Sequence, residues 1–223
     1  MPDVKQFHEQ VKKGDLDGVR QALTEDPALL DATNPAGQNA FLLAKYYRQD
    51  ALAEYLLSLG PKLDIFNSCV AGRSSEVLSS IDRDPALSQS HSTDGWTVLH
   101  LAAFFGHPDL ANALLDRGAN VNARSTNGLK NCPLHAASAG GHAELVALLL
   151  KRGAEANAVQ EGGWTALHSA ALAGNRAMTE ALLASGANRE IRAANNQTAL
   201  DLALSKGHGE VAALLENASP TLH

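Results

Sequence analysis

Apolar residues along this chain recur at helical spacing inside one short unit, and the unit itself recurs. In the stretch from Asp94 to Ala123, Leu99, Ala102 and Ala103 share one face of a predicted helix. Leu110, Leu114 and Leu115 share one face of a second. Asp94-Gly95 predicts a turn ahead of the first helix. Thr97 stands where its hydroxyl caps that helix, and Gly106 stops it. Pro108 suits the first turn of the second helix, where its missing N–H costs nothing, and Gly118 fits a left-handed cap at its end. The small alanines let a neighbouring helix approach closely. Residues 119–123 then turn out of the helical layer.

The motif ending at His100 returns as Cys132-Pro133-Leu134-His135, Thr165-Ala166-Leu167-His168 and Thr198-Ala199-Leu200-Asp201, in steps of 35, 33 and 33 residues. Gly118 recurs as Gly153 and Gly186. Gly106-His107 recurs as Gly141-His142 and Gly207-His208, with Gly174-Asn175 between them. Self-similarity at such a period is the mark of stacked repeats. A spacing near 33 with this order of parts resembles the ankyrin repeat, closely over 94–216 and in degenerate form over 4–93. The resemblance implies an all-α solenoid of seven helix-turn-helix units, right-handed and gently curved, with short finger turns on one edge. It would form a single domain over 1–223, with repeats at about 4–34, 35–61, 62–92, 93–125, 126–159, 160–192 and 193–216.

The N-terminal part keeps the pattern with changes. Phe7 and Val11 mark one helix, and Leu16, Val19 and Leu23 a second. Lys5, Glu9, Lys12 and Lys13 keep the other face polar, as a terminal repeat needs. Asn39 takes the capping position of repeat 2. Ile65 lies only five positions after Gly60, so no full finger fits between repeats 2 and 3. A short helix pair, Ile65–Gly72 and Ser75–Ile81, is predicted next. A 58-residue period links Gly14 to Gly72, Gly37 to Gly95, and Asp26-Pro27-Ala28-Leu29 to Asp84-Pro85-Ala86-Leu87, which makes the first four repeats a duplicated two-repeat block. The finger around Asn127-Gly128 is two residues longer than the next, and the tail Asn217–His223 is expected to fray.

Composition narrows the function. Aromatics make up 4% of the 223 residues and the formal net charge is −6, which suits thin stacked helices and argues against a general nucleic-acid binder. Cys69 and Cys132 lack zinc-type spacing and are expected to stay reduced in a cytosol. The start shows no signal-peptide run, and no stretch is long and apolar enough to span a membrane. A cytoplasmic location and a monomer are the resulting expectations.

His100, His135 and His168 form a ladder at repeat spacing. Read as chemistry, it is a row of metal ligands or general bases. Repeats packed roughly 10 Å apart are too far from one another to share a metal with Zn–N bonds of about 2.1 Å. The ankyrin resemblance implies instead that each imidazole bonds its own capping hydroxyl and the backbone of the next finger. Cys132 sits at a capping position and reads as a weak cap rather than a reactive thiol. No nucleophile elbow, phosphate loop, cofactor motif or metal site is present in the sequence. Asn196-Gln197-Thr198 matches a glycosylation acceptor but reads as turn plus cap.

The remaining signal is aromatic. Tyr46-Tyr47 and Phe104-Phe105 occupy the same two positions of their repeats, and the resemblance implies that these line the concave face. Trp96 and Trp164 stand one residue before a capping Thr, at the base of a finger. The expectation is a non-enzymatic protein-interaction scaffold. It would bind another protein through its concave face and finger tips, with Tyr46, Tyr47, Trp96, Phe104, Phe105 and Trp164 as anchors. Arg117 and Arg124 would add polar rim contacts. The competing readings are a self-associating structural array and a hydrolase built on the His ladder.

Overall fold

The computed structural model describes residues 3–217, so the part of the expected frayed tail beyond Asn217 lies outside the described residues. Among them every regular element is helical, and the sole β feature is an isolated antiparallel bridge between Thr33 and Asn39. The helices come in seven pairs. They are α1 (Val4–Lys13) with α2 (Leu16–Glu25), α3 (Ala40–Tyr46) with α4 (Asp50–Ser58), and α5 (Ile65–Val70) with α6 (Ser74–Arg83). Then follow α7 (Val98–Phe105) with α8 (Pro108–Asp116), α9 (Pro133–Gly140) with α10 (Ala143–Lys151), α11 (Ala166–Leu172) with α12 (Arg176–Ala184), and α13 (Ala199–Ser205) with α14 (Gly209–Asn217). The chain divides into two compact units, with the boundary between Val77 and Leu78.

In the second unit the first helices of the pairs (α7, α9, α11, α13) pack in one row, and the second helices (α8, α10, α12, α14) pack in another. Leu99, Leu101, Leu134 and Leu167 are buried from the first row, and Leu110, Leu114, Leu145, Leu149 and Leu182 from the second. Each such leucine stabilises by roughly 2 kcal/mol. The alanines of the first row, Ala102, Ala103, Ala136, Ala137, Ala170 and Ala171, are fully buried, which is the close approach their size permits. The tightest point is Gly140, where an added Cβ would collide with the Phe104 carbonyl oxygen.

The first unit places α1 against α2 and α3, and α3 against α4 and α5. Its core is Phe7, Val11, Val19, Leu29, Phe41, Leu43, Leu52 and Leu56. Six residues, 59–64, join α4 to α5, against sixteen between α8 and α9, and they form no finger. The Lys62 amide instead donates to the Asp31 carboxylate at 2.8 Å.

Local conformations keep the 58-residue period. Asp26 (φ −144°, ψ 92°) and Asp84 (φ −139°, ψ 91°) each cap a 3-10 turn, Pro27–Leu30 and Pro85–Ser88. Inside each helix pair the chain reverses through one left-handed residue. It is glycine in six pairs, at Gly14, Gly72, Gly106, Gly141, Gly174 and Gly207, with φ between 63° and 82°. In the α3–α4 pair it is Arg48, at φ 55°. A non-glycine residue there costs about 1 kcal/mol.

Candidate functional site

Each ladder histidine is fixed by its own repeat and the next. The Thr97 amide donates to His100 Nδ1 at 3.3 Å, which makes Nδ1 an acceptor and leaves the proton on Nε2. The Thr97 hydroxyl lies 2.8 Å from Nδ1, and Nε2 lies 3.1 Å from the Asn131 carbonyl. His168 repeats this with Thr165 and the Gln197 carbonyl, at 2.7 and 3.2 Å. His135 repeats it with the Cys132 sulfur at 2.9 Å and the Trp164 carbonyl at 3.2 Å. Both ring nitrogens are therefore engaged in all three residues, with no lone pair left for a metal or a substrate proton. Burial lowers all three pKa values, to about 4 for His100 and His135. Burial also pushes the Cys132 thiol up, away from the reactive thiolate. The ladder is structural.

A second ladder links the helical rows. His142 Nε2 meets the Phe104 carbonyl at 3.0 Å, and His208 Nε2 meets the Leu172 carbonyl at 3.2 Å. Asn175 Nδ2 donates to the Gly141 carbonyl at 3.4 Å. Each residue starts a second helix and satisfies a carbonyl at the end of the preceding repeat's first helix. The recurring Gly-His dipeptide was the sequence signal for it. A third ladder runs through the turns: Asn122 and Asn157 donate to the Gly153 and Gly186 carbonyls and accept from the Glu155 and Asn188 amides.

Both rim arginines expected from sequence serve these joints. Arg117 Nε and Nη2 grip both oxygens of Asp82 at 2.7 and 3.2 Å, and Nη1 reaches the Ala113 carbonyl. The Arg117 guanidinium holds the Asp82 carboxyl below its ordinary range. Arg124 Nη1 donates to the Lys130 and Val159 carbonyls at 3.1 and 2.7 Å, tying one finger to the next. Its Nε and Nη2 have no hydrogen-bond partner among the described residues. Arg124 lines a cavity of about 270 Å³ with Lys130, Val159, Gln160 and Glu161.

The expected aromatic anchors fall into separate groups. In the second unit Trp96 meets Phe104 edge-on at 5.4 Å, and Phe104 meets Phe105 edge-on at 5.1 Å. All three are half-buried. Trp164 stands apart, tilted over His168 at 5.2 Å, with its indole N–H donating to Ser169 Oγ at 3.0 Å. In the first unit Tyr46 is half-buried, whereas Tyr47 is 51% exposed with the Lys12 ammonium 5.7 Å from its ring centre. Sequence reasoning passed over exposed Leu172 and Leu204, on α11 and α13. Leu172 holds the same repeat position as Phe104, which was the available signal.

Comparison with known proteins agrees with this geometry. The family described as ankyrin repeats (3 copies) matches residues 7–160 and 134–222. The human SH3 and multiple ankyrin repeat domains protein 2 is 33% identical over 212 residues, which cover 91% of this chain and 10% of that protein. The chain thus spans about a tenth of the length of the curated relative it matches. The family match, the paired helices and the Thr-x-x-His ladder agree: the chain belongs to the ankyrin-repeat family.

Proposed function

We propose that this chain is a non-enzymatic scaffold that binds a partner protein through the face carrying the first helices of its repeats. Ankyrin repeats imply a protein-interaction domain. The observation that carries the finer reading is the Trp96–Phe104–Phe105 cluster, three large rings held edge-to-face and left half-exposed in an otherwise aromatic-poor chain. Rigid aromatic groups of this kind anchor interfaces at low entropic cost. Leu172, Leu204 and Trp164 extend the apolar surface in the second unit, and Tyr46 and Tyr47 supply it in the first. Arg124, with two nitrogens uncommitted, is the polar contact, while Arg117 works within the repeats.

The engaged His ladder weighs against the hydrolase reading. Both cysteines are buried and neither forms a disulfide, and no described helix is long and apolar enough to cross a membrane. A cytoplasmic monomer is the corresponding proposal, and light scattering distinguishes it from a self-assembling array.

The test is affinity capture from native lysate with the full chain and with Phe104→Ala/Phe105→Ala. The double variant is expected to lose its partner while keeping its helical circular dichroism. Unchanged capture removes the aromatic cluster as the site.

A further inference from the structure

We infer that the first unit carries a docking surface for an acidic peptide segment of a partner protein, built on Lys13, Tyr47 and Arg48. It rests on the scaffold reading above and adds a partner chemistry to it.

Three independent observations converge. First, Arg48 holds the left-handed position that is glycine in every other helix pair. The fold would be easier with glycine there. Yet its guanidinium makes no ion pair or side-chain hydrogen bond among the described residues, so the fold does not use the side chain it bears at that cost. The neighbouring acid, Asp50, is paired with Lys45 at 3.0 Å.

Second, Tyr47 is 51% exposed, the only aromatic ring among the exposed large apolar side chains of the described residues. It is held rather than loose. Lys12 approaches its ring and is itself oriented by Glu9 at 2.7 Å. Gln49 Nε2 donates to the Lys12 carbonyl at 3.1 Å, locking the α3–α4 turn onto the end of α1.

Third, Lys13 precedes Gly14 as Tyr47 precedes Arg48, so it occupies the same position one repeat earlier. It is exposed and has no ion pair among the described residues.

An exposed ring with Arg48 next to it in sequence, and with Lys13 on the end of α1 that Gln49 holds against this turn, is complementary to carboxylates flanking an apolar residue. The carboxylates would pair with Arg48 and Lys13, and the apolar group would lie on Tyr47. A net charge of −6 repels a long polyanion such as nucleic acid but leaves room for a short acidic segment.

The experiment pans the full chain against a displayed library of random peptides and measures selected peptides by fluorescence anisotropy. Selected sequences are expected to be enriched in Asp and Glu, and their affinity to fall as salt is raised. Arg48→Gly and Lys13→Ala are each expected to weaken them about tenfold. Arg48→Gly is also expected to keep or raise the melting temperature, because it relieves the backbone. Phe104→Ala/Phe105→Ala should leave these peptides bound.

Several results overturn the proposal: no peptide selected, no acidic enrichment, affinity indifferent to Arg48→Gly, or a melting temperature that falls in that variant. Arg48-dependent binding of a single-stranded RNA oligonucleotide instead of peptides also overturns it. Acidic peptides lost only in the phenylalanine variant would belong to the second unit, which sinks this surface and leaves the scaffold reading standing.

Discussion

The two compact units use the same helix pair but join successive pairs differently. In the second unit each joint is made several times over. A histidine reaches the next finger, an asparagine reaches the next turn, and the residue opening a second helix caps the preceding first helix. Arginine adds further ties, as in Arg152 with Asp116 at 2.8 Å and Arg176 with Glu210 at 3.5 Å. In the first unit the corresponding positions hold other residues. Asn39 and Asp64 cap α3 and α5 without a histidine partner, and the side-chain ties between repeats include Gln49 to Lys12, Asp31 to Lys62, and the cation–ring contacts of Lys12 with Tyr47 and Arg20 with Tyr55. In stacked repeats, stability is each repeat's own plus that of its interfaces with neighbours. The second unit therefore holds a regular, stiff stack, while the first relies on apolar packing and tolerates departures such as Arg48.

Acid should narrow or reverse this contrast, and by the largest amount. His100 and His135 titrate near pH 4 in the fold against about 6.5 unfolded, so the unfolded chain binds more protons between those values. Their contribution is complete above pH 6.5 and drains away as the pH falls toward 4. Protonation would place a hydrogen on Nδ1 facing the Thr97 or Cys132 amide donor. Each residue forfeits on the order of 2 kcal/mol by pH 4.5, and His168 shifts in the same direction. The first unit has one comparable group, His8, also lowered by burial. Both tryptophans lie in the second unit and all three tyrosines in the first, so tryptophan fluorescence isolates the second. Urea midpoints read that way at pH 7, 6, 5 and 4.5 should fall steadily; a flat series would remove the ladder's role.

A core truncation gives the next largest effect. Leu134 is fully buried in α9, within the densest part of the second unit. Leu134→Ala should cost about 2–5 kcal/mol by tryptophan-detected unfolding. The first unit's Val11, equally buried, should cost less when changed to alanine, about 1–3 kcal/mol, because fewer methyl groups are lost. Equal losses would mean that the two units do not differ in how tightly they pack.

The helix pairs were legible because several local signals fell in step. The Gly at each reversal, the Leu stripe and the capping Thr are all short-range, and together they placed even α5 and α6, where the finger is missing. The 58-residue period likewise survived as matching 3-10 turns. What stayed hidden depends on neighbours far along the chain. Arg117 reads as a free surface cation until Asp82, 35 residues earlier, is found against it. Trp96, Phe104 and Phe105 carry the same hydropathy whether buried or exposed, and only ring packing fixes how much of each remains open. Arg48 was legible in principle, since aligning the reversals leaves it alone among glycines, but its significance needs the backbone angle of the folded chain.

The smallest effect concerns the one imperfect rung of the second unit. Thr97 and Thr165 hydroxyls each accept the amide of the histidine three residues on, at 3.4 Å, and approach its Nδ1. At Cys132 the sulfur takes the hydroxyl's place toward the His135 amide and Nδ1, but a thiol sulfur is a weaker acceptor than a hydroxyl oxygen. That amide is one of the orphan donors at a helix start. Cys132 is buried and the site already accepts threonine in both neighbouring repeats, so the extra methyl group has a precedent in shape. Cys132→Thr should therefore raise unfolding free energy by about 1 kcal/mol, read as a small rise in the tryptophan-detected midpoint. It should leave the first unit's transition where it was. A loss of stability would mean that the thiol–imidazole contact is worth more than the stronger hydroxyl cap, and that the rung is tuned for sulfur.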